Sequence, residues 1–408
     1  MRRDPAAPRR PRPPGFGAIW TCVALDLVGF GIVLPILPIY ATRFAATPTT
    51  IGLLVASFSL AQLVFAPVWG GLSDRIGRKP VLVVSLAGTA GASLLTGLAG
   101  SLWVLFAARI LDGVSGASVS VAQAAVVDVA PAADRARLLG LLSAAFGVGF
   151  VVGPGLGAVT ALVDPRLPFF LAALVAGANA VWAVRRLPET HPVRRSAPSS
   201  VSPPVADPSP LLAGPSQRSG AGTYVAVAFA SLVAFSAFEA TFALFGQRRL
   251  GFDEASTAGV FVGIGVLITA VQLGLVGRCV DRFGEQRALR LGLALNAVGL
   301  LVLADVRSWV ALVPALVLVT AGQGLLTPTL SSLVAGRVAA ERRGGALGIQ
   351  QAVGGLARVT GPAVGGFLFQ RAGVPVPYLV GAGLTAGAAL LLVTTVPTVR
   401  PGAPAAAR

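Results

Sequence analysis

Long apolar runs with almost no charged residues follow one another along most of the chain, and short polar stretches separate them. A run of about 18 or more such residues is long enough to cross the hydrocarbon core of a bilayer as an α-helix. The pattern predicts twelve spanning helices; the ninth run is the shortest and begins near Arg290, which makes eleven the alternative count. The candidate spans are 16–38, 51–72, 80–100, 102–127, 138–162, 167–184, 224–246, 256–276, 288–304, 308–335, 344–370 and 374–398.

The composition indicates a membrane protein. Of the 408 residues, 55% are hydrophobic and 12% are charged, whereas a soluble globular domain has about 25% charged residues. We therefore expect an all-α integral membrane protein that contacts the lipid bilayer.

Basic residues are distributed unevenly between the two sides of the predicted membrane. The net charge is +16, and 24 of the 32 Arg and Lys residues lie in the tails and loops on the side of the N-terminus; 6 lie in the opposite loops and two inside spans. The positive-inside rule then predicts both termini in the cytoplasm. A nucleic-acid-binding protein instead gathers its basic residues on one soluble face, so we expect no nucleic-acid partner.

The longest polar interruption, 188–222, is rich in Pro, Ser and Arg and too poor in apolar residues to fold. It separates six predicted spans from six. The Arg- and Pro-rich start of the chain lacks the features of a cleavable signal, because no small-residue cleavage site ends the long apolar run that follows it. The predicted organisation is a disordered cytoplasmic tail 1–15, a six-helix half 16–187, a disordered cytoplasmic linker 188–222, a second six-helix half 223–398 and a cytoplasmic tail 399–408.

The two halves repeat one another in sequence. GGLSDRIGRKPVL at 70–82 and GRCVDRFGEQRAL at 277–289 share Gly, Asp, Arg and Gly at an offset of 207. GPGLG at 153–157 and GPAVG at 361–365 match at an offset of 208. Two matches at nearly one offset indicate the duplication of a six-helix unit, so the fold is expected to consist of two pseudo-symmetric halves.

Several stretches carry a family resemblance. They are ALDLVGFGIVLPILPIY at 24–40, GGLSDRIGRKP at 70–80, ARILDGVSGASVSVAQAAVVD at 108–128, GFVVGPGLG at 149–157, LPET at 187–190 and FEATFALF at 238–245. As a set they resemble the drug/proton antiporter branch of the major facilitator superfamily, including the tetracycline/proton antiporters.

The resemblance implies the major facilitator fold, with a substrate site near mid-membrane between the two halves. It implies a monomeric transporter of the bacterial inner (plasma) membrane. It also implies export of a small, lipophilic, drug-like compound in exchange for protons by alternating access. The partners would be that compound and protons.

Three acidic residues lie inside predicted spans: Asp26 in the first, Asp112 in the fourth and Glu239 in the seventh. A charge at mid-bilayer costs about 2.5–3.5 kcal/mol on insertion scales, so such residues usually face a cavity or a partner. A carboxyl group there can exchange a proton instead of remaining charged. We predict a role in proton coupling or substrate binding. The alternatives are a packing hydrogen bond for Asp26 and a solvated position near the outer interface for Glu239.

Two arginines lie well inside predicted spans, Arg109 in the fourth and Arg358 in the eleventh. Arg109 and Asp112 are three residues apart, hence on one helix face, and in a low dielectric they would stabilise each other's charged forms. Protonation of Asp112, or attraction of Asp26 to Arg109, would change this pair. The resemblance implies a coupling role for Arg109; a static ion pair is the alternative. Arg358 has no partner within one turn, which leaves both a substrate-cavity cation and a packing role open.

The loop after the second span is predicted to act as a gate. Its glycines permit tight turns and close helix approach, Asp74 can lie against the N-terminus of the eleventh span near Gly344, and its basic residues can pair with Asp128. Such contacts would hold the cytoplasmic side closed; the alternative is a basic loop that only sets topology. The residues predicted for this role are Gly70, Asp74, Arg75, Gly77, Arg78, Lys79 and Asp128.

The fifth span concentrates small residues around a proline. Small residues let helices pack backbone to backbone, and Pro bends a helix. The resemblance implies that this is the antiporter motif; close packing without directional meaning is the alternative. Its predicted residues are Gly149, Gly153, Pro154 and Gly157.

Other functions fit the sequence less well. Metal or nucleophile chemistry usually needs His and Cys clusters, whereas the chain has one histidine, His191, and two distant cysteines, Cys22 and Cys279. We therefore predict no enzyme activity, no metal site and no cofactor. The sequence also lacks a GxxxxGK loop followed by Ser or Thr, so the expected energy source is an ion gradient and not ATP. A proton-coupled carrier of a metabolite such as a sugar or amino acid is the alternative; an integral-membrane enzyme or a receptor-like role is less favoured.

Overall fold

The computed structural model describes residues 13–131, 134–190, 218–337 and 343–395. The predicted tails and most of the predicted linker lie outside these residues. The helix of the seventh span begins at Arg218, so its first turn falls inside the predicted linker 188–222. A spanning helix can continue beyond its apolar run, because its backbone groups bond to one another both in the membrane and in the water outside it.

Every regular element among the described residues is an α-helix, which confirms the predicted fold class. In chain order the helices are α1 Phe16–Val33, α2 Leu37–Thr42, α3 Pro48–Ile76, α4 Arg78–Gly97, α5 Leu102–Ser115, α6 Ser118–Val129, α7 Arg135–Ala161, α8 Leu167–Arg186, α9 Arg218–Leu250, α10 Glu254–Gly274, α11 Val276–Phe283, α12 Glu285–Ala304, α13 Trp309–Gly336, α14 Arg343–Arg371 and α15 Val376–Thr395.

Twelve helical segments in the described part of the chain are long and apolar enough to cross a membrane, which confirms the predicted count. α1 and α2 together form the first span, and α5 and α6 together form the fourth. The ninth span, α12, has 20 residues, enough to cover about 30 Å. The alternative count of eleven is therefore wrong.

Two spans are interrupted where the sequence places Pro or Gly. The first is broken around Pro35, which has no backbone N–H to continue the helix. The fourth is broken at Gly116, where two side chains of α3 reach across: Gln62 donates to the carbonyl of Gly116 at 2.9 Å and Trp69 to that of Val114 at 2.5 Å. These bonds satisfy carbonyl groups that the break leaves without a helical partner, as a membrane interior requires.

The halves α1–α8 and α9–α15 meet mainly along two pairs of helices, α3 with α14 and α7 with α10, and α9 makes smaller contacts with α2 and α3. We call the side on which α1 begins the terminal side and the other the distal side. Toward the distal side, Gly52 lies so close to Pro362 that a Cβ atom would not fit. At the distal edge, Arg43 pairs with Glu254 at 3.0 Å. The halves are thus held together on the distal side.

Candidate functional site

Arg109 and Asp112 form the ion pair that their spacing on α5 predicts. Nη1 of Arg109 lies 2.5 Å from Oδ2 of Asp112. The arginine is 4% exposed, and its guanidinium carbon lies 4.2 Å from the ring centroid of Phe58 on α3. Loss of one partner from a buried ion pair leaves the other charge uncompensated. A change in the charge of Asp112 would therefore act directly on Arg109.

Asp26 of α1 lies in the same region of the first half. Its carboxylate accepts a hydrogen bond from the hydroxyl of Ser118, the first residue of α6, and the charge of Asp112 acts on it. The direct contact of Asp26 is thus with Ser118 and not with Arg109. The sequence reasoning missed Ser118; its place immediately after the break in the fourth span is the signal that marks it.

Glu239 of α9 and Arg358 of α14 are the corresponding charges of the second half. Arg358 is the charged group that acts on Glu239, although the two side chains do not form an ion pair. Ser236 of α9 donates to the carbonyl of Ala357 at 3.0 Å, which fixes the register of the two helices. Gly361 of α14 also lies against Val233 and Ala237 of α9. Glu239 therefore lies roughly one to two turns, or about 5–10 Å, further toward the distal side than Arg358. The sequence reasoning missed this relation because it compared Arg358 only with residues within one turn.

The charged groups of the two halves lie at similar depths. α3 and α14 run antiparallel, and their contacts place Phe58 of α3 level with Arg358 of α14. Because Arg109 stacks on Phe58, the two intramembrane arginines lie at about one depth, near the middle of the spans. The contacts that fix this register are those of Gly52 with Pro362 and of Leu63 with Gly355.

Three phenylalanine side chains, from α1, α3 and α7, form a cluster at this depth. The ring centroids of Phe30 and Phe58 are 5.6 Å apart, and those of Phe30 and Phe150 are 6.4 Å apart. All three are only partly buried. They give the first half an aromatic surface beside Arg109.

Arg78 is the basic residue of the predicted gate that pairs with Asp128. Its Nε lies 3.0 Å from Oδ2 of Asp128, and its Nη1 lies 2.6 Å from Oδ1 of Asp74. Arg78 is 8% exposed, whereas Asp74 and Arg75 are exposed. One cation therefore joins the end of α3 to the end of α6 on the terminal side.

Glu189 also belongs to this cluster, although the sequence reasoning did not include it. It accepts from the backbone N–H of Arg78 at 2.9 Å and from that of Lys79 at 3.1 Å, so it satisfies two free donors at the start of α4. Gly77, which precedes them, has a φ of 101° that favours glycine. The LPET stretch in which Glu189 lies was the available signal.

Gly70 does not make the close helix approach that was predicted for it. A Cβ atom at Gly70 would meet no atom of the described residues within 4 Å. The reason is that the halves pack together on the distal side, whereas Gly70 lies near the terminal end of α3. Contact of Asp74 with the start of α14, and closure of the gate, stay predictions.

The glycines of the predicted antiporter motif pack α7 against α1. A Cβ atom at Gly149 would lie 2.6 Å from Cβ of Leu27, and one at Gly157 would lie 2.9 Å from Cδ1 of Ile36. Gly153 has similarly short approaches to α1, and the ring of Pro154 lies beside Gly31. Small residues at every fourth position thus allow the two backbones to touch.

Comparisons with known proteins agree on one family. The model of the Major Facilitator Superfamily matches residues 19–304 and 273–408. The chain is 32% identical to the class C tetracycline resistance protein of Escherichia coli, over 84% of this chain and 86% of that protein. It is 29% identical to multidrug resistance protein 1 of Bacillus subtilis, over 86% of this chain and 88% of that one. The solved human organic anion transporter MFSD10 (TETRAN) has a TM-score of 0.71 and 26% identity, over 93% of this chain and all of that one.

Proposed function

We propose that this chain, which belongs to the Major Facilitator Superfamily, exports small lipophilic drug-like compounds in exchange for protons by alternating access. Membership of the family makes it a multi-pass membrane transporter and not an enzyme, as predicted. The names of its relatives include resistance to tetracycline and to several drugs, and these names support drug efflux.

The observation that carries the proposal is the linked group of Asp26, Arg109 and Asp112 at mid-membrane. Three ionisable side chains from α1 and α5 act on one another where charge is costly. Uptake of a proton by Asp112 would remove the charge with which Arg109 pairs. A proton can therefore favour one arrangement of the helices over another, as coupling requires.

The gate would act on the side opposite to the contacts between the halves. We assign the terminal side to the cytoplasm by the positive-inside rule. The distal contacts then correspond to a form closed to the outside, from which substrate would enter from the cytoplasm. In the next step of the cycle, Asp74 and the residues around Arg78 would engage the second half and close the cytoplasmic side.

The energy of one proton is enough for useful export. A charge that moves down about 100 mV releases about 2.3 kcal/mol, and one pH unit adds about 1.4 kcal/mol. Each 1.4 kcal/mol corresponds to a tenfold concentration ratio. One proton per cycle would therefore hold a substrate gradient of several hundred-fold.

The test uses purified protein in liposomes that contain a pH-sensitive dye. Addition of tetracycline or another lipophilic drug should move protons across the bilayer only when the protein is present, and Asp26→Asn should abolish this movement. Concentrative transport that survives a protonophore, or that requires sodium instead, would contradict proton antiport and leave the fold unaffected.

A further inference from the structure

Arg358 is an exposed cation in the middle of a spanning helix. Within the described part of the chain it has no ion-pair or hydrogen-bond partner, and the one charge linked to it is that of Glu239. Arg109 in the first half is instead 4% exposed and paired. A charge at this depth normally faces water or a partner, so the surroundings of Arg358 need to supply one.

The faces of α14 show where this side chain points. Gly354 and Gly361 approach α9, whereas Gly355 and Pro362 approach α3. On a helix of 3.6 residues per turn, position 358 falls between these two faces. α3 and α9 also contact each other. The direction from α14 toward the gap between α3 and α9 therefore points into the protein. Arg358 therefore faces the space between the halves and not the lipid.

Two further features border the same space. Glu239 lies roughly one to two turns further toward the distal side on α9, on the helix face next to the one that packs on α14. The cluster of Phe30, Phe58 and Phe150 lies on the first half, with Phe58 level with Arg358. A positive group, a negative group and an aromatic surface thus border one space between the halves.

We propose that Arg358 and Glu239 bind the two opposite charges of a zwitterionic amphipathic substrate, whose apolar body lies on the phenylalanine cluster. This inference rests on the proposed export function and specifies its substrate class. A compound with only an anionic group meets the repulsion of Glu239, and one with only a cationic group meets that of Arg358. A molecule that carries both charges satisfies both groups, which are not paired with each other.

The repeat supports a separate role for this pair. At the offset of 208, Arg358 corresponds to Phe150, and Glu239 corresponds to Gly31. The first half therefore has no equivalent pair at these positions; of its own charges, Arg109 pairs with Asp112, and Asp26 accepts a hydrogen bond from Ser118. We assign proton coupling to the first half and recognition of substrate charge to the second.

The experiment measures equilibrium binding to the purified full-length protein in nanodiscs, with no gradient. The probe is ciprofloxacin, which is fluorescent and at neutral pH carries a carboxylate and a protonated piperazine. Its methyl ester keeps only the positive charge, and its N-acetyl derivative keeps only the negative charge. Wild-type protein should bind ciprofloxacin about tenfold or more tightly than either analogue, because hydrogen bonds to charged groups contribute this much.

Two variants test the assignment of each charge. Arg358→Gln should bind ciprofloxacin no better than its ester, and Glu239→Gln should bind it no better than the N-acetyl derivative. Arg358→Lys, which keeps the charge, should retain most of the preference over the ester. Arg371→Gln, which removes an arginine from the distal end of the same helix, should behave as wild type.

The proposal is wrong if the wild-type protein does not prefer the zwitterion, or if Arg358→Gln keeps its preference over the ester. An equal loss of affinity for all three probes in both variants would also contradict it, because that result indicates a packing role. Failure of proton-linked transport in liposomes, with the binding preferences intact, would instead refute the proposed export function alone.

Discussion

The contact of α7 with α1 depends on the absence of a side chain at Gly153, and the substitution Gly153→Ala tests this directly. The added Cβ would lie 2.6 Å from the carbonyl oxygen of Val28 and 2.7 Å from Cα of Gly31. Gly155 in the same motif is the matched control, because a Cβ there would have its nearest atom, Cγ2 of Val262, at 3.6 Å. Gly153→Ala therefore forces the backbones of α7 and α1 apart, whereas Gly155→Ala makes an ordinary van der Waals contact.

The expected magnitudes follow from these distances. Replacement of Gly by Ala inside a helix favours the helix by about 0.8–1.0 kcal/mol at either position. Overpacking costs about 1–3 kcal/mol and applies only to Gly153→Ala. We therefore expect Gly155→Ala to raise the free energy of unfolding by up to about 1 kcal/mol. The free energy of unfolding should be about 1–3 kcal/mol higher for Gly155→Ala than for Gly153→Ala.

The measurement is the free energy of unfolding of the purified variants in mixed micelles with increasing dodecyl sulfate. Transport by both variants is measured in parallel, because Gly153→Ala should also slow any step in which α1 and α7 move against each other. Equal unfolding free energies for the two variants, or a more stable Gly153→Ala protein, would refute the argument from backbone contact.

Three further predictions concern charged residues. Asp26→Asn should abolish export driven by a pH gradient while the protein still inserts; undiminished uphill export in vesicles would contradict this. Asp74→Asn removes a carboxylate that lies 2.6 Å from Arg78 and should slow exchange between the two conformations, followed by single-molecule fluorescence, more than it weakens binding. A collapse of affinity with normal rates would argue against a gate. Arg43→Gln breaks the pair with Glu254 and should raise the ratio of distally open to closed molecules by up to about fivefold, since an exposed pair contributes up to about 1 kcal/mol. An unchanged distribution of label-to-label distances would show that this pair does not hold the halves.

Contacts within one helix were the part of the site that sequence reasoning predicted well. The pairing of Arg109 with Asp112 follows from a spacing of three residues, because the helical repeat places them on one face. Arg78 was also among the three candidates for Asp128, since the loop is short and ends beside the fourth span. Ser118 and Glu189 were missed, because they act on partners 92 and 110–111 residues away in the chain.

The sequence by itself determined the number of spans, the duplication and the set of charges inside the membrane. These features depend on the length and the composition of each apolar run, because each segment crosses the bilayer according to its own length and hydrophobicity. The tertiary structure decided which charges are paired and which are free. No residue within one turn of Arg358 indicates whether its side chain is packed or exposed. In the structure, the orientation of α14 turns this side chain toward the gap between α3 and α9, where it is exposed. Helix rotation and depth are set by the close approaches of glycines such as Gly52 and Gly361, and these require two surfaces that are distant in sequence to fit together.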